Sequence, residues 1–182
     1  MNIRLTATAI ALTVLAAACH NGKATLPQDR TDSAIQEIRD AHVRRSEHAK
    51  LQIELDAPLI QKYEKPRPKT EYRGTKARRV QLRFYDDSHQ VKTSIEAGRA
   101  TSFDDRDIME AYDSVVVIDY RNGDTIYLQD LIWDASDDRI FSEHTVRAKN
   151  GNRVTVGDGF TSDQRMENMQ IIHQRGIIEF DD

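Results

Sequence analysis

The chain has 182 residues, 31% of them charged and 38% hydrophobic, with 26 Lys and Arg against 30 Asp and Glu. That fits one globular domain of ordinary size with targeting and linker sequence, and it is too short for two cores. A formal charge of -4 and a single Cys exclude an acidic solvating tail, a domain held to nucleic acid by bulk charge, an intramolecular disulfide and a thiolate metal cluster.

Arg4 lies in a short basic n-region, and the apolar run after it, broken by Thr6, Thr8 and Thr13, closes on Leu15-Ala16-Ala17-Ala18 before Cys19. An apolar stretch of about a dozen residues ending in small side chains is a signal-peptide h-region, too short to span a bilayer. Leu15 to Cys19 resembles a bacterial lipobox, in which cleavage falls just before a cysteine whose sulfur has received a diacylglycerol. The fit departs from that pattern in one respect, since Leu15 stands one place further out than usual and Ala16 takes its position. The plainer alternative is an ordinary secretory signal in which Cys19 is incidental. On the lipobox reading residues 1-18 are removed and Cys19 carries two or three acyl chains, enough for stable anchoring where one chain binds marginally. Residues 19-37 are polar, carry Gly22 and Pro27 and read as a membrane tether. Ile35 and Ile38 can begin a helix, although two apolar positions do not make an amphipathic face.

From about Arg39 the dominant period is two, which makes residues 38-182 the folded domain. Val80-Gln81-Leu82-Arg83-Phe84, Val91 to Ile95, Ile126 to Leu128 and Val154-Thr155-Val156 alternate apolar with polar, as strands with one wet face do. Between them stand Asp86-Asp87-Ser88, Asp104-Asp105-Arg106-Asp107, Asn122-Gly123, Ser136-Asp137-Asp138, Asn150-Gly151, Ser162-Asp163 and Arg175-Gly176. Asn-Gly readily supplies the positive φ angles of a two-residue hairpin turn. Connections this short join antiparallel neighbours, because a parallel crossover needs a dozen or more residues. The expected body is an antiparallel all-β meander without a βαβ unit.

Leu, Ile, Val and Phe together number 41, just above the roughly 20% of a chain below which disorder is expected, so the core is thin. A fainter repeat runs through the strands. Leu55-Asp56-Ala57, Ile95-Glu96-Ala97, Leu128-Gln129-Asp130 and Val156-Gly157-Asp158 recur at intervals of 40, 33 and 28 residues, each closing a strand. Either coincidence in a β-rich chain or a stack of similar hairpins burying a continuous apolar seam accounts for them.

The stretches Leu55-Asp56-Ala57-Pro58-Leu59-Ile60-Gln61-Lys62-Tyr63-Glu64, Phe84-Tyr85-Asp86, Leu131-Ile132-Trp133-Asp134 and Gly157-Asp158-Gly159-Phe160-Thr161-Ser162-Asp163 resemble, in order and spacing, the LptC family in the lipoprotein form of Bacteroidetes-like bacteria. The resemblance runs from about Ala41 to Phe180. It departs from the family at Glu47-His48, where relatives carry a glycine-containing turn, and in the Arg-rich run before Val80. What the resemblance implies is a twisted, partly open β-jellyroll, boat-like, whose apolar interior cradles the acyl chains of lipopolysaccharide. It further implies a non-enzymatic protein at the inner membrane facing the periplasm. Such a protein takes lipopolysaccharide from LptF and LptG, powered by the ATPase LptB, and passes it to the bridge protein LptA or its equivalent.

The candidate groove lining is the alternating apolar row Leu82, Phe84, Val91, Ile95, Val116, Ile118, Leu128, Ile140, Val154, Val156 and Ile171. Each buried CH₂ of lipid there contributes roughly 0.8 kcal/mol; a closed, dry core is the alternative for any one position. Lys65 to Arg83 holds eight Lys and Arg against Glu71. It can meet lipid phosphates, or it is a solvated loop and an edge strand whose charges discourage aggregation, with Pro66 and Pro68 held out of any ladder interior. Nucleic acid is not an expected partner, since only Tyr72 interleaves aromatically. Little else carries chemistry: the six His show no i, i+4 pair and no HExxH, no Gly-x-Ser-x-Gly elbow occurs, and no metal or cofactor is expected. The acidic turns lack the spacing of a calcium loop, and their Asp side chains are expected to bond their own backbone two residues on. Trp133 can stack on a ligand sugar or close a strand end. Beside the lipid-transfer reading stands a second, a β-rich scaffold lipoprotein making protein contacts in the cell envelope.

Overall fold

The computed structural model describes residues 33-179, and among them there are strands but no helix. In chain order they are β1 (Gln36–Glu47), β2 (Lys50–Tyr63), β3 (Lys69–Arg73), β4 (Val80–Tyr85), β5 (Val91–Ala97), β6 (Arg99–Phe103) and β7 (Ile108–Asp119). Then follow β8 (Asp124–Asp134), β9 (Arg139–Ser142), β10 (Val146–Asn150), β11 (Arg153–Gly157), β12 (Gly159–Asp163), β13 (Gln170–Ile172) and β14 (Gly176–Glu179). All belong to one hydrogen-bonded system of antiparallel neighbours, as the short connections require. Ile38 begins no helix. It lies in β1 opposite Ile60, and β1 begins at Gln36, two residues inside the stretch read as a tether.

Three strands are long enough to serve two sheets. β2 pairs with β4 through Ile53–Asp56 and with β3 through Leu59–Tyr63. β7 pairs with β6 before a bulge at Asp113-Ser114 and with β5 after it. β8 pairs with β10 at Thr125–Tyr127 and with β9 at Ile132–Asp134. β4, β5, β10, β11 and β14 therefore extend a first sheet, and β3, β6, β9, β12 and β13 a second. The sheets face each other, with the rings of Phe84 and Trp133 meeting across the gap at 6.1 Å between centroids. This is the LptC-like jellyroll expected above.

The faint repeat marks the line where the chain turns from one sheet to the other. Its four triplets end at Ala57-Pro58, Ala97-Gly98, Gln129-Asp130 and Gly157-Asp158, each at the boundary between pairings in the two sheets. They are corners within continuous strands or between abutting ones, not hairpin tips. At the second corner Gly98 N–H donates to the Asp113 carbonyl at 3.1 Å, and the Gly98 carbonyl accepts from Gly74 N–H at 2.9 Å. A Cβ on Gly98 would sit 2.7 Å from that of Asp113, so only glycine permits the approach.

The turns differ in detail from expectation. Asn122-Gly123 closes a four-residue loop, Gly123 having φ 74°, whereas Gly151 (φ 53°) and Asn152 form a two-residue turn. The tightest hairpin without glycine joins β1 to β2, where His48 and Ala49 both take positive φ, 49° and 61°. Left-handed backbone strains a residue with a Cβ. Ala49→Gly is therefore expected to stabilise the domain by about 0.5–1 kcal/mol after allowing for the freer unfolded chain, read as a rise in the urea midpoint at unchanged slope.

β3 is not an edge strand. It is flanked by β2 and β6, and charges of the basic segment are matched both within β3 and by neighbouring segments. Lys69 and Arg73 both bond Glu71, Arg67 lies 3.6 Å from Asp105, and Arg78 pairs with Asp40. The protected edge is instead β1, which among the described residues pairs only with β2 and exposes Glu37, Arg39, Arg44, Arg45 and Glu47.

Candidate functional site

The apolar faces of the two sheets enclose a seam. Leu55, Val80, Leu82, Ile95 and Ala97 line it from the first sheet, and Ala100, Met109, Ala111, Leu131, Trp133 and Ile140 from the second, around a cavity of about 40 Å³. Phe84, Val115, Val117, Ile126, Leu128 and Phe160 continue the same cluster. A void this small has little room beyond a single water, so a larger apolar guest requires the sheets to part.

Of the eleven expected lining residues, Phe84, Ile95, Leu128 and Ile140 are buried in this cluster, and Leu82 and Ile171 pack against it. Of the other five, Val154 is buried as well but on the far face of β11, and Val91, Val116, Ile118 and Val156 face away, half-buried. A bulge on β5 sets Thr93 opposite Phe84 but Val91 opposite Tyr85, which turns Val91 to the outer face. In β7 it is Val115 and Val117 that are buried, so Val116 and Ile118 point outward. Val156 pairs with Arg147 and Val154 with Lys149, on the face opposite Ala148; the inward positions of β11 are Thr155 and Gly157. The sequence row thus joined two faces of one sheet. Leu55, Met109, Ala111, Leu131 and Trp133 were missed because each corner shifts the alternation: inward residues on either side are three apart, as at Ala97 and Ala100 or Leu128 and Leu131.

The lips of the seam, where the hairpins turn, are bridged by the segment between β12 and β13. Met166 in this strap is fully buried in the main cluster. Arg121 Nη2 donates to the Met166 carbonyl at 2.7 Å, and Lys92 Nζ to Glu167 at 3.0 Å. Arg121 in turn is fixed by buried Asp119, through Nε at 2.9 Å and Nη2 at 3.1 Å. Asp163 accepts the Arg165 and Glu167 amides and so shapes the strap. Beyond the strap the seam widens to a mouth of about 990 Å³, with Ile126, Ala148, Phe160, Met169 and Ile171 beneath a rim that includes Asn150 and Arg153.

On the outer face of β1, β2 and β4 lies a charge network. His42 Nδ1 is 2.5 Å from Asp56 and its Nε2 is 3.4 Å from Glu54. Arg44 Nε donates to Glu54 at 3.0 Å, and Arg83 bonds both Glu54 and Asp56. His42, Glu54 and Asp56 present ligand atoms within 4.8 Å of one another, yet the two guanidiniums already neutralise both carboxylates and would repel a dication. Burial alone would raise Glu54, but the Arg44 hydrogen bond and the charges of His42 and Arg83 outweigh it and hold its carboxyl below the usual range. Asp56 is likewise lowered, burial being overcome by bonds to His42 and Arg83. Folded-state values below the unfolded ones mean stability that is complete above about pH 5 and lost progressively as pH falls below about 4 toward the lowered folded values. The melting temperature is expected to drop as pH falls below about 4, and Glu54→Gln, costing about 1 kcal/mol at neutral pH, should flatten the drop.

The acidic turns behave as local caps. Asp86, Asp134 and Asp163 each accept the backbone N–H two residues on. Trp133 closes the seam against Phe84. Cys19 lies outside the described residues. A family model described as LptC, lipopolysaccharide-assembly, LptC-related, matches residues 5–179. Among curated proteins, none matches the chain.

Proposed function

Because the chain belongs to the LptC-related lipopolysaccharide-assembly family, we propose that its two-sheet seam receives lipopolysaccharide from the inner-membrane ABC transporter and passes it to a periplasmic bridge protein. Family membership places the chain in the periplasm-facing envelope system that transports lipopolysaccharide, a family whose role there is transport and not catalysis. The observation that carries the finer reading is the apolar seam itself: two facing sheets, lined almost entirely by aliphatic and aromatic side chains, widening beyond the strap into an amphipathic mouth. An acyl chain entering it exchanges water for apolar contacts at roughly 0.8 kcal/mol per CH₂. The free edges suit the hand-over. Among the described residues β1 leaves one side unpaired for the transporter subunits LptF and LptG, and β13 and β14 leave theirs for LptA or its equivalent. Cys19, with lipid on its sulfur, would hold the chain at the inner membrane beside LptB's partners.

A photo-crosslinking amino acid at Leu82, half-buried at the seam, is expected to capture lipopolysaccharide in cells, and the same group at Val156, on the outer face, is not. Equal capture at both sites, or none at Leu82, overturns the reading in favour of a protein-binding scaffold.

A further inference from the structure

Three buried polar atoms in the seam have no hydrogen-bond partner among the described residues: Thr93 Oγ1, Trp133 Nε1 and Ser162 Oγ. Thr93 is fully buried and Ser162 is 4% exposed. Their positions are related by register. Trp133 pairs with Ile140, and Ile140 with Ser162, so the three form one cross-strand row on the inner face of the second sheet. Phe84 and Thr93 pair in the first sheet, and Phe84 meets Trp133 across the gap. Two facing rows thus carry hydroxyl, indole N–H and hydroxyl donors among apolar side chains, the one carboxylate beside them, Asp119 next to Thr93, being already held by Arg121 and Asn122.

An unsatisfied buried donor is costly and calls for a physical reason. Apolar residues of the same shape would fill all three positions at no such cost. The rows lie under the strap, beside an opening of about 190 Å³ that reaches Phe84 and Trp133 from the lips. Trp133 and Ser162, two strands apart, are separated by about 10 Å, a span that suits more than one oxygen on the guest. We infer that Thr93, Trp133 and Ser162 form a polar subsite for the ester and amide carbonyl oxygens at the heads of acyl chains, an inference that rests on the lipid reading proposed above. The aliphatic walls hold the chains, and the donors set how deep a chain slides by catching its linkage carbonyl. A carbonyl has no hydrogen to give and two lone pairs to accept with, which matches a site that presents donors.

The test uses the full chain with three probes: purified lipopolysaccharide, a diacyl phosphatidylcholine, and the dialkyl ether analogue of the same chain length, which keeps the chains and loses the carbonyls. Trp133 is the sole tryptophan, so its emission reports the subsite directly. The diester is expected to bind about five- to tenfold more tightly than the diether, with a red shift as the indole N–H gains a partner. Thr93→Val with Ser162→Ala, both close in shape to the residues they replace, should lose most of that preference and keep only the part due to the Trp133 indole N–H, about twofold. Equal binding of both lipids by the unaltered chain, with lipopolysaccharide still shifting the emission, overturns the subsite and leaves the transport reading standing. An ester preference undiminished in the double variant overturns the assignment to these hydroxyls. No response to any of the three probes overturns the lipid reading itself.

Discussion

Ile140→Glu is expected to abolish the cooperative melt, while Val156→Glu leaves the domain folded. Ile140 is fully buried between the sheets, and a carboxylate there must either shed its charge or open the seam. Each costs several kcal/mol, comparable with the whole stability of a small domain. Val156 is a valine in the same alternating pattern, yet it stands across from Arg147 on the outer face, where a glutamate gains a cross-strand partner for about 0.2–1 kcal/mol. Circular dichroism melting of the pair distinguishes them. A folded Ile140→Glu protein would mean that water reaches the seam freely, and an unfolded Val156→Glu protein would contradict the register of β10 and β11.

Asp119→Ala carries the second large effect. Asp119 is fully buried and accepts from Arg121 and Asn122, and Arg121 holds the strap through the Met166 carbonyl. Removing the carboxylate leaves Arg121 without its partner. Because that side chain is 35% exposed, water takes up part of its charge, and the expected loss is about 2–3 kcal/mol instead of the 3–5 of a fully sealed pair. Beyond the global loss, amide exchange should quicken across residues 164-168, as the strap opens more readily than the sheets melt. Lys92→Ala, which removes one pair with the half-exposed Glu167 and leaves no buried charge behind, should cost about 1 kcal/mol. Equal effects of the two variants would deny Asp119 its role in seating the strap.

The all-β body was legible in the sequence because alternation and turn residues are local signals. Val80 to Phe84 and Ile126 to Leu128 kept their parity with the core, for each sits inside one sheet. Val115-Val116-Val117-Ile118 carried no such information: four consecutive apolar residues have no phase, and only the bulge at Asp113-Ser114 selects which two face inward. The bulge on β5 likewise reversed Val91 through pairing with Tyr85 that no local pattern announces. The site was therefore read in part. The resemblance to the family named the kind of interior, and Leu82, Phe84, Ile95 and Ile140 belong to it, but the half of the wall contributed by β6 and by the start of β7 depends on which strand meets which across the corner line. The repeat at Ala57, Ala97, Asp130 and Gly157 held that information. It was visible as a recurrence, and its meaning lay in long-range pairing.

β2, β7 and β8 each run through both sheets, and this fixes the geometry of opening. The sheets cannot drift apart as plates; they swing like the covers of a book about a spine that stays bonded. An arm of about five residues is roughly 16 Å long, so a swing of about 10° lifts the tips by close to 3 Å and moves the spine hardly at all. Room appears first at the fore-edge, beneath the strap and the polar rows, and last beside Gly98. Guests of different thickness would then seat at different distances from the spine, and the width of a lipid, more than its length, would decide how wide the cover must stand.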